Sequence, residues 1–141
     1  MRFDFIENIK MLPIYLLLVG TFGQASLEKF LSRGVPEWFR NQFQKTFLNI
    51  FPGSLTLQYY GIAVLEASIV VLFIISGVNG EFLAGHSKEF LKLALVVSLF
   101  TFFGLGFGLR VTGDYQGAAN LFSYFGVTLL AFFYVEMNAV N

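Results

Sequence analysis

The chain has 141 residues, of which 56% are hydrophobic and only 13% are charged. Nine lysines and arginines balance nine acidic residues, so charge gives no reason to expect nucleic-acid binding. With no cysteine and one histidine, the sequence excludes disulfides, thiolate metal sites and a multi-histidine metal centre built by this chain alone. We therefore expect a membrane protein with no metal or covalent cofactor and no self-contained catalytic centre.

Four apolar segments follow one another at residues 11–31, 57–78, 91–109 and 118–135. Each is close to the roughly 20 residues that a spanning helix needs. We predict an all-α protein, in which residues 1–141 form one antiparallel, left-handed four-helix transmembrane bundle. Lysines and arginines are divided almost equally between its two sides, so orientation stays open. We expect a multi-pass location in a bacterial inner membrane, in contact with membrane lipids.

The loop between the first two segments has its own helical pattern. Pro36 suits the first turn of a helix, and large apolar residues recur after it at spacings of three to four, namely Phe39, Phe43 and Phe47. We predict an amphipathic helix over residues 36–51, lying in the membrane interface with Trp38 at headgroup depth. A helix packed as a lid over the bundle is the alternative.

Glu66 lies near the middle of the second segment, roughly 13 Å along the helix from Leu57. A charged residue at a helix centre costs about 2.5–3.5 kcal/mol, so it normally faces protein, pairs with another group, or handles a proton or ligand. Polar residues on the other segments fall at similar depths, and Tyr59 shares the face of Glu66. We predict that a polar cluster forms around Glu66, from Gln24, Thr101, Ser123, Tyr124 and Tyr59.

Three interpretations of Glu66 remain open at this point. It is a hydrogen-bonded core residue that fixes helix register, a ligand, quinone or proton site, or a contact to a partner subunit.

Two further features belong to the third segment and the turn that follows it. Gly104 and Gly108 form a small-xxx-small pair that predicts close helix packing, and Gly20 on the first segment has the same interpretation. Arg110 and Asp114 in the turn are predicted to form an interfacial ion pair. Contact of Arg110 with an anionic headgroup or ligand is the alternative.

Two stretches of the sequence resemble the DoxX-like family of small four-helix membrane proteins. They are the glycine-rich end of the first segment, residues 18–30 (LVGTFGQASLEKF), and Leu65-Glu66-Ala67 in the second. The resemblance covers the first two helices and the four-span layout. It implies a membrane subunit close to quinone chemistry, and it supplies no catalytic residue.

Two functions are consistent with these features. The first is an accessory subunit that docks onto or stabilises a larger membrane complex of redox type, with other membrane proteins as partners. The alternative is a stand-alone protein that binds a quinone or a lipid, since a carboxylate, an amide and a phenol can hydrogen-bond quinone carbonyls. Its ligand contacts would be Glu66, Gln24 and Tyr124.

Overall fold

The computed structural model describes residues 4–139, which form six helices. They are α1 (Asp4–Ile9), α2 (Leu12–Leu31), α3 (Glu37–Phe43), α4 (Ser54–Val78), α5 (Glu89–Val111) and α6 (Tyr115–Met137). No strand occurs in this part of the chain, which confirms the all-α prediction. Helices α2, α4, α5 and α6 correspond to the four predicted segments, with ends that differ by at most three residues.

Within residues 4–139, four helical stretches are long and apolar enough to cross a membrane. The outside of the bundle agrees with this, because large apolar side chains such as Leu16, Phe100 and Leu130 are more than two-thirds exposed. A contiguous apolar surface of this kind is unfavourable in water and favourable in lipid. The chain is therefore a multi-pass integral membrane protein that contacts membrane lipids.

Aromatic packing ties the helices together inside the bundle. The buried rings of Phe22 on α2 and Phe102 on α5 stack with their centroids 4.8 Å apart. Tyr124 on α6 continues the stack, with its ring centroid 5.5 Å from that of Phe102. Three helices thus meet through one column of rings, which fixes the rotation of each around its own axis.

The helix predicted over residues 36–51 is shorter than expected, because α3 ends at Phe43. Beyond it the Thr46 hydroxyl donates to the Phe43 carbonyl at 2.7 Å, so a side chain takes the place of the next helical turn. Phe39 and Phe43 are buried, and the Phe39 ring lies 5.1 Å from that of Tyr59 on α4. The apolar face of α3 therefore covers one end of the bundle, while Phe47 is exposed.

The glycines on α5 do not all pack as predicted. A Cβ placed on Gly106 would lie 2.6 Å from the ring of Phe122, so Gly106 is where α6 approaches most closely. A Cβ on Gly104 or Gly20 would meet no neighbour within 4 Å, and one on Gly108 would lie 3.6 Å from an aromatic carbon of α3. Gly104 and Gly108 share a face because they are four residues apart, and Gly106 lies on a different face. Within residues 4–139, Gly104 and Gly20 therefore make no close contact with a neighbouring helix, and their role in packing stays a prediction.

Candidate functional site

Glu66 is buried on α4 with 2% of its surface exposed, and its partner is Lys29 on α2. The Lys29 Nζ lies 3.3 Å from Oε1 and 3.2 Å from Oε2 of Glu66, so the ammonium donates to both carboxylate oxygens. An ion pair thus joins α2 to α4, which are two of the membrane-spanning helices.

The residues predicted to gather around Glu66 make other hydrogen bonds. Gln24 is exposed, and its amide nitrogen donates to Oε1 of Glu28 at 3.3 Å. Ser123 is also exposed, and its hydroxyl donates to the Ala119 carbonyl one turn earlier at 3.0 Å. Both side chains therefore lie on outward faces of their helices.

The remaining predicted members are closer to the core but bond elsewhere. Thr101 is buried and donates to the Val97 carbonyl at 2.8 Å, while the Tyr59 hydroxyl donates to the Ser32 hydroxyl at 3.4 Å. Tyr124 contributes its ring to the aromatic stack and is partly exposed. The structure does not bring these five side chains to Glu66 as a hydrogen-bonded cluster, and their role as ligand contacts stays a prediction.

A cavity of about 230 Å³ lies beside Lys29, at the end of the bundle that α3 covers. Its walls are mostly aromatic rings, aliphatic side chains and glycine; they include Trp38, Phe39, Phe43, Phe107, Ile62, Gly104, Gly108 and Leu121. Lys29 and Gln58 are the polar side chains that line it. The Gln58 amide nitrogen donates to the Leu48 carbonyl at 2.6 Å, and Lys29 is the cationic residue of the lining. We call this space the head cavity.

The predicted ion pair between Arg110 and Asp114 does not form. The Arg110 guanidinium lies over the ring of Tyr115, 5.1 Å from its centroid. Oδ1 of Asp114 accepts from the Gly117 amide at 3.0 Å, so this carboxylate caps the start of α6. The backbone amides of a helix N-terminus bind the aspartate, and an aromatic face holds the arginine.

A second buried carboxylate, which the sequence analysis did not identify, lies in the loop between α4 and α5. Glu81 is 4% exposed. Its Oε2 accepts from the Ser76 hydroxyl at 2.6 Å and from the Leu91 amide at 2.7 Å, and its Oε1 accepts from the Phe90 amide at 3.1 Å. The loop folds back so that Glu81 covers the N-terminus of α5, where backbone N–H groups have no helical partner.

Lys88 and Tyr15 complete this second cluster. The Lys88 ammonium is 2% exposed and donates to the carbonyls of Glu81 at 2.6 Å and Leu83 at 3.0 Å. Burial lowers the pKa of Lys88 from its ordinary value of 10.5, and the negative charge of Glu81 opposes this shift. The hydroxyls of Tyr15 and Ser76 share a hydrogen bond of 2.6 Å. We call Tyr15, Ser76, Glu81 and Lys88 the loop cluster.

Comparison of the chain with protein families, with characterised proteins and with solved structures finds no match.

Proposed function

We propose that the protein binds a membrane lipophile, and that Lys29 donates a hydrogen bond to a carbonyl oxygen of its head in the head cavity. Quinones carry this chemistry, and so do the ester groups of lipids. The observation that carries the proposal is that Lys29, the ion-pair partner of the buried Glu66, also lines an apolar cavity.

A buried ion pair needs a reason, because apolar residues of similar volume often stabilise a protein as well or better. An ammonium group has three N–H donors, and Lys29 directs hydrogen bonds to the two oxygens of Glu66. This geometry supports a role for the remaining donor toward a ligand. Because the pair is neutral as a whole, it favours an uncharged acceptor, whereas an anionic head would be repelled by the Glu66 carboxylate.

The cavity walls support a flat, apolar head. The rings of Trp38 and Phe39 meet edge to face with centroids 5.8 Å apart, and Phe107 contributes a third aromatic wall. Aromatic walls pack well against a planar ring. A space of about 230 Å³ is smaller than the roughly 300–1,000 Å³ of drug-sized sites. It accommodates a ring-sized head without a long tail.

The same proposal includes the arrangement of the helices in the membrane. Two contacts between helix ends support an antiparallel bundle: Lys10, just before α2, donates to Asn138, just after α6, at 3.0 Å, and Lys92 near the start of α5 pairs with Glu136 near the end of α6 at 3.1 Å. The exposed Trp38 supports an interfacial position for α3. The bacterial inner membrane is proposed from the DoxX-like resemblance.

An accessory subunit of a larger membrane complex is the second candidate. Gln24 and Glu28 support it, because these exposed, mutually bonded polar side chains lie on the outward face of α2 within a spanning segment. A redox partner complex rests on the DoxX-like resemblance. Mild-detergent extraction followed by native mass spectrometry tests this candidate, which requires other chains bound in fixed stoichiometry. Recovery of the chain alone from native membranes would contradict it.

Ligand binding is tested through Trp38, which is the only tryptophan in the chain and lines the head cavity. We expect a benzoquinone with a decyl tail to quench its fluorescence saturably, and monodecanoylglycerol to compete if an ester carbonyl binds the same donor. Glu66→Gln should preserve folding and weaken binding, and Lys29→Met should abolish it. Lys92→Met is the matched control, since it removes a lysine from the exposed pair with Glu136. Unchanged binding in both site variants would refute the proposal.

A further inference from the structure

We propose that the tail of this lipophile lies in a groove between α4 and α5, which leads from the head cavity to the surrounding lipid. This inference rests on the proposed function, since it describes the other end of the same ligand. It assigns the ligand to single-tailed lipophiles that reach the site sideways from within the bilayer.

The groove is a second cavity of about 360 Å³. It is lined by Gln58, Gly61, Ile62, Leu65, Phe100, Thr101, Gly104 and Leu105. The residues that it shares with the head cavity are Gln58, Ile62, Gly104 and Leu105. Because these walls are common to both spaces, the groove and the head cavity are adjacent, and the proposal is that one ligand occupies both.

Two glycines make the groove wide. A Cβ placed on Gly61 of α4 or on Gly104 of α5 would meet no atom within 4 Å, so neither glycine serves a close approach of helices. Glycine in a helix interior is about 1 kcal/mol less favourable than alanine. Here the two glycines leave room at one place on facing helices, and that room is what a hydrocarbon chain needs.

The far end of the groove opens toward lipid. Leu65 and Phe100 on its rim are 39% and 73% exposed. From Gln58 to Leu65 the groove follows α4 for about 10 Å, given a rise of 1.5 Å per residue. A tail lying along this path would touch apolar side chains and the methyl group of Thr101. The Thr101 hydroxyl already donates a hydrogen bond to the Val97 carbonyl. The Lys29 donor at one end and the open rim at the other give the ligand a fixed direction.

The test fills the groove without touching the head cavity's cation. Gly61→Leu and Gly61→Phe place a side chain where the tail would lie, at a residue that lines the groove and not the head cavity. Gly77→Leu is the control, because a Cβ there also meets nothing within 4 Å and the site is about 24 Å from Gly61 along the same helix. Binding of a decyl-substituted benzoquinone and of the same benzoquinone without a tail is measured for each variant by Trp38 fluorescence.

We expect the groove variants to bind the decyl compound about tenfold more weakly or worse, since the inserted side chain occupies the space of the tail and overpacking of this kind is unfavourable by at least that factor. Their affinity for the tail-less compound should change less than about twofold, and Gly77→Leu should behave as wild type. Unchanged decyl affinity in both groove variants would overturn the groove while leaving the head site standing. Failure of both compounds to bind wild type would overturn the proposed function itself.

A second measurement, made on the wild-type chain, covers the case in which the groove variants fail to fold. A benzoquinone whose decyl tail ends in a photoreactive diazirine is bound and irradiated, and the adducts are mapped by mass spectrometry. Adducts on Leu65 or Phe100 are expected. Adducts confined to lipid-facing residues of α2 or α6 would overturn the groove.

Discussion

Glu66 and Glu81 are both buried glutamates, but they are held in different ways. Glu81 accepts hydrogen bonds from two backbone amides at the start of α5 and from the Ser76 hydroxyl. Glu66 accepts both of its hydrogen bonds from one flexible side chain, Lys29, which also lines a cavity. The loop cluster surrounds its carboxylate with fixed donors, whereas the head cavity leaves space beside its ion pair.

This difference separates a structural carboxylate from a candidate site. A helix N-terminus supplies preformed donors and a favourable dipole for an anion, so Glu81 stabilises the turn between α4 and α5. The lysine of the Lys29–Glu66 pair faces open space that a ligand can fill. Burial and charge alone do not distinguish the two glutamates, whereas the hydrogen-bond donors around each carboxylate do.

The largest effect is expected from breaking the ion pair on one side. Lys29→Met leaves the Glu66 carboxylate buried without its partner, which costs about 3–5 kcal/mol for a buried pair. Replacing both residues by methionine should restore most of the stability while ligand binding stays lost. Thermal unfolding in detergent, with Trp38 titration alongside, measures both. If Lys29→Met is as stable as wild type, the Glu66 carboxylate does not depend on Lys29 as a buried partner.

The matching change in the loop cluster should affect stability alone. Glu81→Gln weakens hydrogen bonds to an ionised acceptor, and we expect a loss of about 1.5–3 kcal/mol. Quinone affinity of the folded fraction should equal that of wild type. Glu89→Gln, on the exposed first turn of α5, is the control. If Glu81→Gln lost quinone affinity, Glu81 would not have the purely structural role that distinguishes it from Glu66.

A smaller effect is expected where the loop cluster touches α2. Tyr15→Phe removes the hydrogen bond to Ser76 and should lower the unfolding free energy by about 1 kcal/mol. Tyr115→Phe removes a hydroxyl from a largely exposed ring and should change little. Thermal unfolding of the two variants side by side measures the difference. Equal stabilities would mean that the Tyr15 hydroxyl contributes nothing to the cluster.

The smallest effect is a dependence of stability on alkaline pH. Because burial lowers the pKa of Lys88 from 10.5, the unfolded chain binds more protons than the folded protein between the two pKa values. Stability contributed by this group therefore rises with pH through that window and is complete above 10.5. Lys88→Met should remove the rise, and Lys92→Met should keep it. Identical pH profiles for wild type and Lys88→Met would contradict the shift.

The features that could be predicted from the sequence are those that local properties decide. Length and hydropathy place the four spanning helices, since each segment must satisfy its own backbone in lipid. Helix rise predicts how far along its helix a residue such as Gln24 lies, but it does not fix the face on which the side chain lies. Rotation about the helix axis depends on packing such as the Phe22–Phe102 stack, which joins residues far apart in sequence.

Lys29 and Glu81 escaped the sequence analysis for related reasons. Lys29 stands near the end of α2, where a lysine normally reaches toward water, yet its long side chain bends inward to Glu66. Glu81 stands in a polar loop that sequence alone would leave in solvent. Its burial depends on the loop folding back onto the start of α5, ten residues further along the chain.

The order in which the chain is synthesised gives the Lys29–Glu66 pair a role in membrane insertion. Lys29 ends the first spanning helix and Glu66 is inside the second, so the cation reaches the translocon before the carboxylate. A lone carboxylate at a helix centre opposes insertion by about 2.5–3.5 kcal/mol. We expect α4 without residues 1–53 to insert poorly in a glycosylation-reporter assay, and Glu66→Leu to correct this. The first two spanning helices would then enter the bilayer as one helical hairpin, in which Lys29 neutralises the charge of Glu66.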